Sequence, residues 1–150
     1  MIIKPPGTII DGTSVFLAGS IEMGAAEDWQ AKVETALSGT DIIVYNPRRD
    51  DWDSSWVQSI DNPQFRKQVE WELEALEKAS IIALYLAPGT MSPISLLELG
   101  LFKSKTMVVC CPEGFWRKGN VDIVCKRYGI RQVQTLDGLV DAILWLVKCS

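Results

Sequence analysis

Two glutamates stand where the surrounding residues predict burial, and the first of them is Glu98. It lies in the segment 92–102, which reads SPISLLELGLF and is otherwise nearly all apolar. Burying an ion costs far more than burying a neutral group, so such a carboxylate is usually paired, neutralised or used in chemistry. Glu98 therefore either braces a neighbouring loop as a buried carboxyl or takes part in a reaction.

The second glutamate is Glu72, which shares a helical stripe with Phe65, Val69 and Leu76 at positions i, i+4, i+7 and i+11. Two inward carboxylates from neighbouring helices are the minimal equipment for acid/base or nucleophilic work at an acetal-like bond. The other acids of this segment fall off the stripe and are predicted to face solvent: Glu70, Glu74 and Glu77. The alternative role for either inward glutamate is a structural salt bridge to Arg48, Arg49 or Arg117.

The chain is of ordinary single-domain size, with 150 residues of which 47% are hydrophobic. We expect one domain over residues 1–150, with residues 1–10 as an extended lead-in. No run approaches 18 apolar residues, and the first residues lack the layout of a signal peptide. These features predict a cytoplasmic protein with no membrane partner.

The histidine and cysteine content limits the kinds of reaction that the protein could catalyse. The sequence has no histidine, which excludes Ser-His and Cys-His nucleophilic systems and removes the usual metal ligands, so we predict no metal site. Four cysteines match no zinc or redox spacing and are predicted to be buried, reduced thiols: Cys110, Cys111, Cys125 and Cys149. Any reaction must therefore use carboxylates, amides, hydroxyls and backbone donors.

The net charge of -4 argues against a nucleic-acid polymer as partner, because a phosphate backbone needs a basic face. A small-molecule partner fits better. Two local basic spots, at Arg48-Arg49 and Arg117-Lys118, could hold one phosphate. Three tryptophans near these spots indicate either planar ligands or simple packing: Trp52, Trp56 and Trp116.

Strand and helix patterns alternate along the chain. Apolar runs predict five strands, at 15–18, 42–45, 81–86, 107–110 and, more weakly, 130–133. Helical patterns cover 27–37, 62–78, 92–104, 121–128 and 136–147, and Ser92 followed by Pro93 is typical of an N-cap and first turn. This alternation predicts an α/β fold with a five-stranded, mostly parallel sheet covered on both faces.

Ligands of such sheets bind beyond the carboxyl ends of the strands, so the loops that follow strands carry the functional information. They are residues 19–24, 46–53, 87–93 and 111–120, and all carry polar groups suited to a sugar or phosphate. The Gly19-Ser20 turn could present backbone N–H groups, although a glycine there also has purely steric explanations. It matches neither GxGxxG nor a Walker motif, which disfavours a dinucleotide redox enzyme or an NTPase.

Taken together, the ordered motifs resemble the nucleoside 2-deoxyribosyltransferase family over roughly residues 15–128. They are FLAGSI at 16–21, NPRR at 46–49, QVEWEL at 68–73, SPISLLELG at 92–100 and GFWRKGNV at 114–121. The resemblance implies a three-layer, flavodoxin-like (Rossmann-like) sandwich, no cofactor, and a homo-oligomer with shared active sites. It also implies that Glu98 is the nucleophile and that Glu72 serves in substrate binding and proton transfer.

The resemblance further implies which residues contact the substrate, a nucleoside or nucleotide together with a free base. Asn120 matches a position that reaches into the neighbouring subunit's site, and its alternative role is the N-cap of the helix at 121–128. Phe16 stands where classical members carry a tyrosine whose hydroxyl touches the nucleophile, a contact that phenylalanine cannot make. The full set of predicted substrate-binding residues is Phe16, Gly19, Ser20, Arg48, Ser92, Ser95, Arg117 and Asn120.

Two other functions stay open at this point. Nucleotide N-glycosidases of the same superfamily grip a 5'-phosphate with a Gly-Ser-Ile turn and added hydroxyls, which Gly19, Ser20, Ile21 and Ser95 match in part. Those enzymes often place an arginine after the isoleucine, and Glu22 here would repel a phosphate instead. The third possibility is a nucleotide-derivative binding domain in which Glu72 and Glu98 hold ribose hydroxyls and no bond is broken.

Overall fold

A computed structural model of the chain describes residues 1–21, 27–49 and 55–150. Strands and helices alternate through this part of the chain. The strands are β1 Ile2–Ile3, β2 Ser14–Gly19, β3 Ile43–Tyr45, β4 Ile81–Tyr85, β5 Met107–Cys110 and β6 Arg131–Val133. The helices are α1 Trp29–Leu37, α2 Pro63–Lys78, α3 Pro93–Leu101, α4 Lys118–Tyr128 and α5 Leu136–Lys148.

The strands form one parallel sheet in the order β1-β3-β2-β4-β5-β6. The central pair is β2 and β4, in which Val15 lies opposite Ile81 and Gly19 lies opposite Tyr85. The chain leaves β2 towards β3 on one side and returns to β4 on the other, so the strand order reverses between β2 and β4. Such a reversal opens a crevice at the carboxyl ends of the two strands, where open α/β sheets bind ligands.

Helices cover both faces of the sheet, which makes three layers. On one face α1 and α5 bury residues such as Trp29, Val33 and Ile143 against the strands. On the other face α2, α3 and α4 contribute residues that include Leu76 and Leu99. Strands buried on both faces explain the continuous runs of β-branched and aliphatic residues in the sequence. The predicted three-layer α/β sandwich is confirmed.

The sheet differs from the prediction in strand number, because six strands are present rather than five. The additional strand β1 comes from the segment predicted as an extended lead-in, and Ile2 lies opposite Val44 of β3. The rest of this segment is also tied down: the Trp71 indole donates to the Gly7 carbonyl at 2.7 Å, and the Tyr45 hydroxyl to the Ile10 carbonyl at 2.8 Å. Two residues are too few to carry a strand pattern, so periodicity missed β1.

The five predicted strands and five predicted helices are all present, with shifted ends. The largest shifts are of three residues each: α4 begins at Lys118 rather than at residue 121, and α3 ends at Leu101 rather than at residue 104. Three cysteines are buried as predicted, whereas Cys149 is exposed at the end of α5. All four thiols lie in the described part of the chain and are free. None of the described helices is long and apolar enough to cross a membrane.

Candidate active site

The crevice at the carboxyl ends of β2 and β4 is built on a close approach of the two backbones. Gly19 has φ +142°, and a Cβ atom there would lie 2.2 Å from the Tyr85 carbonyl oxygen. The next residue, Ser20, donates its N–H to the same oxygen at 3.0 Å. Glycine is therefore required at position 19 for steric reasons, which were one of the two explanations open from the sequence.

Three buried hydroxyls join the end of β2 to the loop that follows β4. The Ser20 hydroxyl lies 2.6 Å from that of Ser92 and 2.9 Å from that of Thr90, and it accepts the Ala87 N–H at 3.0 Å. The Thr90 hydroxyl in turn donates to the Ala87 carbonyl at 2.8 Å. This hydroxyl cluster (Ser20, Thr90 and Ser92) fixes the loop that leads into α3. The Ser20 and Ser92 hydroxyls, predicted to contact substrate, face each other inside it.

Helix α3 begins at this loop in an unexpected way. Ser92 is the N-cap by position, and Pro93 follows it as predicted. However, Ser92 has left-handed backbone angles (φ 46°, ψ 52°), and its side chain does not cap the helix. A non-glycine residue in this region stores backbone strain. Contacts within the hydroxyl cluster hold the residue there, so the start of α3 is fixed by tertiary structure rather than by a local capping bond.

Glu98 lies on the buried side of α3, as its surroundings predict. Only 8% of the residue is exposed, and it shares the buried side with Ser95 and Leu99. Burial, together with the nearby charge of Glu72, raises the pKa of Glu98 to about 8. The carboxyl is therefore close enough to Glu72 to feel its charge, and near neutral pH it is readily protonated.

Glu72 approaches from α2 and is half-buried. The predicted stripe is rotated: the residues that α2 buries are Gln68, Trp71, Ala75 and Leu76. The Glu72 carboxyl lies at the edge of this face and accepts the Gln68 Nε2–H at 2.8 Å. Burial raises its pKa to about 7, against the smaller lowering effect of that hydrogen bond. The acids predicted to face solvent do so: Glu70, Glu74 and Glu77.

The two carboxyls interact electrostatically, and within residues 1–21, 27–49 and 55–150 no cation forms an ion pair with either of them. No ion pair among the described residues joins Glu72 or Glu98 to Arg48, Arg49 or Arg117, so the predicted alternative of a structural salt bridge is wrong. Two carboxyls that share a poorly solvated site lose their protons in two steps, because the second charge is resisted by the first. Between the two pKa values, near neutral pH, the two carboxyls together hold about one proton and one negative charge.

The remaining predicted substrate residues are at different depths. Phe16 is 1% exposed and packs in the core on the side of α2, α3 and α4, where it forms part of the wall behind the site. Ser95 is buried one turn before Glu98 on the same side of α3. The Arg48 guanidinium lies 3.3 Å from Gln30 Oε1 and 3.5 Å from Asp28 Oδ1, which holds it against the start of α1.

The loop after β5 supplies the other rim of the crevice. Arg117 is exposed with its guanidinium 4.3 Å from the centre of the Trp116 ring, and the Trp116 indole donates to the Met91 carbonyl at 2.9 Å. Asn120 is exposed in the first turn of α4, whose N-cap is Arg117. The alternative role of Asn120 as an N-cap is therefore wrong, because the helix begins three residues earlier.

Two of the sequence predictions fall on residues outside the described ranges, namely the phosphate repulsion by Glu22 and the role of Trp52. Of the neighbouring tryptophans, Trp56 packs under the Arg49 guanidinium at 5.3 Å. Among the described residues no group of three His, Cys, Asp or Glu side chains could hold a metal ion.

Two residues important to the site were not identified from the sequence. Gln68 contacts Glu72, and its position four residues earlier on the same helix could have indicated this. Thr90 completes the hydroxyl cluster, and its contact with Ser20 spans 70 residues, so no local pattern points to it.

Comparison with known proteins supplies a family and a fold. The family model described as "Nucleoside 2-deoxyribosyltransferase like" matches residues 12–115, which is more than half of the chain. No curated protein matches the sequence. Among solved structures, a conserved protein from Enterococcus faecalis V583 is similar, with a TM-score of 0.61 and 15% identity. The match covers 89% of this chain and 98% of that one. At this identity the structural likeness supports the fold alone.

Proposed function

Because the chain belongs to the nucleoside 2-deoxyribosyltransferase-like family, we propose that it cleaves the N-glycosidic bond of (deoxy)nucleosides and transfers the sugar to another base. The observation that carries the proposal is the pair of carboxyls, Glu98 and Glu72, which lie largely buried beside the β2/β4 crevice and each have a raised pKa. If the pair had only a structural role, burying two uncompensated carboxyls in a poorly solvated site would destabilise the fold and provide no compensating interaction.

The two pKa values are similar, so the shared proton can lie on either carboxyl, and the reactive form carries it on Glu72. In the first half-reaction the Glu98 carboxylate of this form attacks the anomeric carbon of the nucleoside. The bond from that carbon to the base breaks, and its electron pair passes to the base nitrogen, which takes the proton of Glu72. The product is a glycosyl ester of Glu98. The sugar passes through a transition state of oxocarbenium character, which a carboxylate in a site of low polarity stabilises strongly.

In the second half-reaction an incoming base attacks the anomeric carbon of the ester. Glu98 leaves as a carboxylate, and Glu72 accepts the proton that the incoming base loses. The cycle therefore returns the pair to one proton and one charge. Water in place of the base would release the free sugar, which is the hydrolytic outcome.

The substrate-binding residues are part of the same proposal. Ser95 lies one turn from Glu98 on the buried side of α3, which supports its proposed contact with the sugar. Gly19, Ser20 and Ser92 shape the floor of the crevice through the hydroxyl cluster, and Phe16 supports it from below. Arg48 and Arg117 lie at opposite rims and are the candidates for a 5'-phosphate or for the base.

The carboxyl pair predicts a bell-shaped dependence of kcat/KM on pH, with a maximum between about 7 and about 8. Below this range both carboxyls are protonated and the nucleophile is lost. Above it both are ionised and no proton is available for the leaving base. Initial rates at constant ionic strength between pH 5 and pH 10 would measure the profile. A rate that stays flat between pH 5 and pH 7 would contradict the assignment of a raised-pKa pair.

The reaction itself is tested by chromatography of the protein incubated with deoxynucleosides and deoxynucleoside monophosphates, with and without added adenine and cytosine. New base-swapped nucleosides support the transferase. Release of free base from monophosphates alone would replace it by the nucleotide N-glycosidase. Saturable binding of compounds that stay intact would indicate a non-catalytic domain.

We also propose that the protein is a homo-oligomer, with a second copy seated on the outer face of α3. Ile94, Leu97 and Leu101 are each nearly three-fifths exposed on this face, although the opposite face of α3 is buried. A helix that is apolar all round is usually covered on both sides. The stripe carries no charge that would select a charged partner, and identical apolar stripes can pair across a two-fold axis. The exposed Asn120 is then available to a neighbouring copy.

This assembly predicts that Leu97→Glu weakens self-association by at least about tenfold, because it buries a charge in the contact. Light scattering coupled to size-exclusion chromatography over a range of concentrations measures the effect. Ile60→Glu, at an exposed apolar residue in the segment before α2, is the matched control and should leave the mass unchanged. A wild-type protein that is monomeric at every concentration would refute the assembly.

A further inference from the structure

Gln68 is the side chain that contacts Glu72 most directly, and all of its polar atoms are engaged. Its Nε2 group donates to Glu72 Oε1 at 2.8 Å and to the Pro47 carbonyl at 3.2 Å. Its Oε1 atom accepts a hydrogen bond from the Arg49 guanidinium at 3.5 Å. The residue is 4% exposed, so water does not compete effectively for these contacts.

These three contacts allow only one orientation of the Gln68 amide. Arg49 can only donate, so the oxygen of the amide must face it. The Pro47 carbonyl can only accept, so the NH2 group must face Pro47 and therefore also Glu72. A flipped amide would place two donors together at Arg49 and two acceptors together at Pro47. The amide consequently presents a fixed donor to one particular oxygen of the Glu72 carboxyl.

A donor fixed on Glu72 Oε1 decides where this carboxyl can carry its own proton. An N–H group already points at Oε1, so a proton placed on that oxygen would compete with it for the same side of the carboxyl. The other oxygen, Oε2, has no such donor among the described contacts. The neutral form of Glu72 therefore carries its proton on Oε2.

We propose that Gln68 is a positioning residue of the transfer reaction: it anchors Glu72 Oε1, and so directs the transferable proton to Oε2, while its own orientation is set by Arg49 and Pro47. This inference rests on the proposed function, since it assigns a task to the proton that Glu72 exchanges with the base. The new element is that a residue outside the carboxyl pair, Gln68, determines which oxygen of Glu72 carries the proton. The loop after β3 contributes because its residues orient Gln68.

The intervening amide also explains how a cation can lie near Glu72 without ionising it. A guanidinium in direct contact with a carboxylate favours the charged form strongly. Here Arg49 contacts the far end of Gln68, and Glu72 meets a neutral donor instead. Burial can then hold the pKa of Glu72 at about 7, well above the value that direct contact with a guanidinium would give, so this carboxyl can exchange a proton near neutral pH.

The test replaces Gln68 by methionine, which keeps the length of the side chain and removes both amide groups, and by glutamate, which keeps the acceptor for Arg49 and removes the donor. Gln64→Met is the matched control, because Gln64 is exposed one turn earlier on the same helix. The measurements are the pH profiles of kcat and kcat/KM, and a titration of the Glu72 carboxyl by carbon NMR in the protein without substrate.

We expect Gln68→Met to lower kcat by about 10–100-fold with little change in KM, and to move the pH profile as a whole to higher pH, because the lost hydrogen bond favoured the ionised form of Glu72. Gln68→Glu should move the profile further, and the pKa of Glu72 measured by NMR should rise in the same order. Gln64→Met should match the wild type. Circular dichroism checks that each variant folds. If Gln68→Met does not fold, Gln68→Glu alone provides the test.

Unshifted titration of Glu72 in both Gln68 variants would overturn the inference, as would a loss of activity with an unchanged pH profile. The NMR titration needs no turnover. An inactive wild type in which the Glu72 titration still responds to Gln68 would therefore count against the proposed reaction and leave the contact itself intact.

Discussion

Glutamine in place of Glu98 should reduce turnover by about a thousandfold or more, because it removes the carboxylate that we propose as the nucleophile. The substitution changes neither the size nor the shape of the side chain, so the fold and the hydroxyl cluster that precedes α3 should be retained. Base exchange followed by chromatography measures the loss. Glu74→Gln, at an exposed acid of α2, is the control and should keep wild-type activity.

The same substitution should stabilise the protein at alkaline pH. The pKa of Glu98 rises from the ordinary 4.5 to about 8 on folding, so the folded state binds the extra proton and stability falls as pH rises through this range. Glutamine cannot ionise and escapes this loss. We expect Glu98→Gln to be more stable than the wild type by about 2–4 kcal/mol at pH 9 and nearly equal to it at pH 4.

Urea unfolding at both pH values measures the difference. Equal stabilities at pH 9 would mean that Glu98 ionises freely in the folded protein. Full activity of the variant would remove Glu98 from the reaction altogether, whatever its effect on stability. The two measurements together separate an active carboxyl from one that is merely buried.

The second large effect is expected at Gly19, where alanine should destabilise the fold by more than about 4 kcal/mol or prevent soluble expression. The new Cβ atom would lie 2.2 Å from the Tyr85 carbonyl oxygen and 2.9 Å from a ring carbon of Trp29, with an unfavourable φ of +142°. The two central strands would have to separate to relieve the contact. Because Ser20 follows directly, the hydroxyl cluster would separate with them.

Urea unfolding of purified Gly19→Ala, or its soluble yield, measures this effect. Gly119→Ala is the control, since a Cβ atom in that position of α4 meets nothing within 4 Å and alanine favours a helix. We expect the control to be unchanged or more stable by up to about 1 kcal/mol. A Gly19→Ala protein of wild-type stability would show that the β2/β4 approach is looser than described.

Sequence patterns predicted the central strands because apolar runs between helical segments of an α/β chain usually form buried strands. They missed β1, whose two residues are strand only because β3 offers them a partner more than 40 positions away. They also misjudged Ser92, a residue with a typical N-cap sequence whose hydroxyl instead bonds to Ser20 and Thr90. Both differences are decided by contacts distant in sequence, which local periodicity does not contain.

The candidate site was predictable in part for the same reason. Glu98 stood out because its own neighbours are apolar, and Glu72 because its helix is amphipathic. The residues that contact these glutamates were harder to predict. Gln68 is one of many polar residues of α2, and its contacts with Arg49 and Pro47 depend on how the loop after β3 lies against the helix. The stripe assignment on α2 was rotated, because Phe65 and Val69 are only half-buried.

The hydroxyl cluster has a consequence for motion. It ties the first turn of α3, and hence the helix that carries Glu98, to the two innermost strands of the sheet. Local opening in proteins normally begins where few buried contacts hold a segment. Here the loop could open only by breaking hydroxyl contacts buried at the centre of the molecule. We therefore expect the start of the helix that carries Glu98 to open only together with the centre of the sheet, and its backbone amides to exchange slowly.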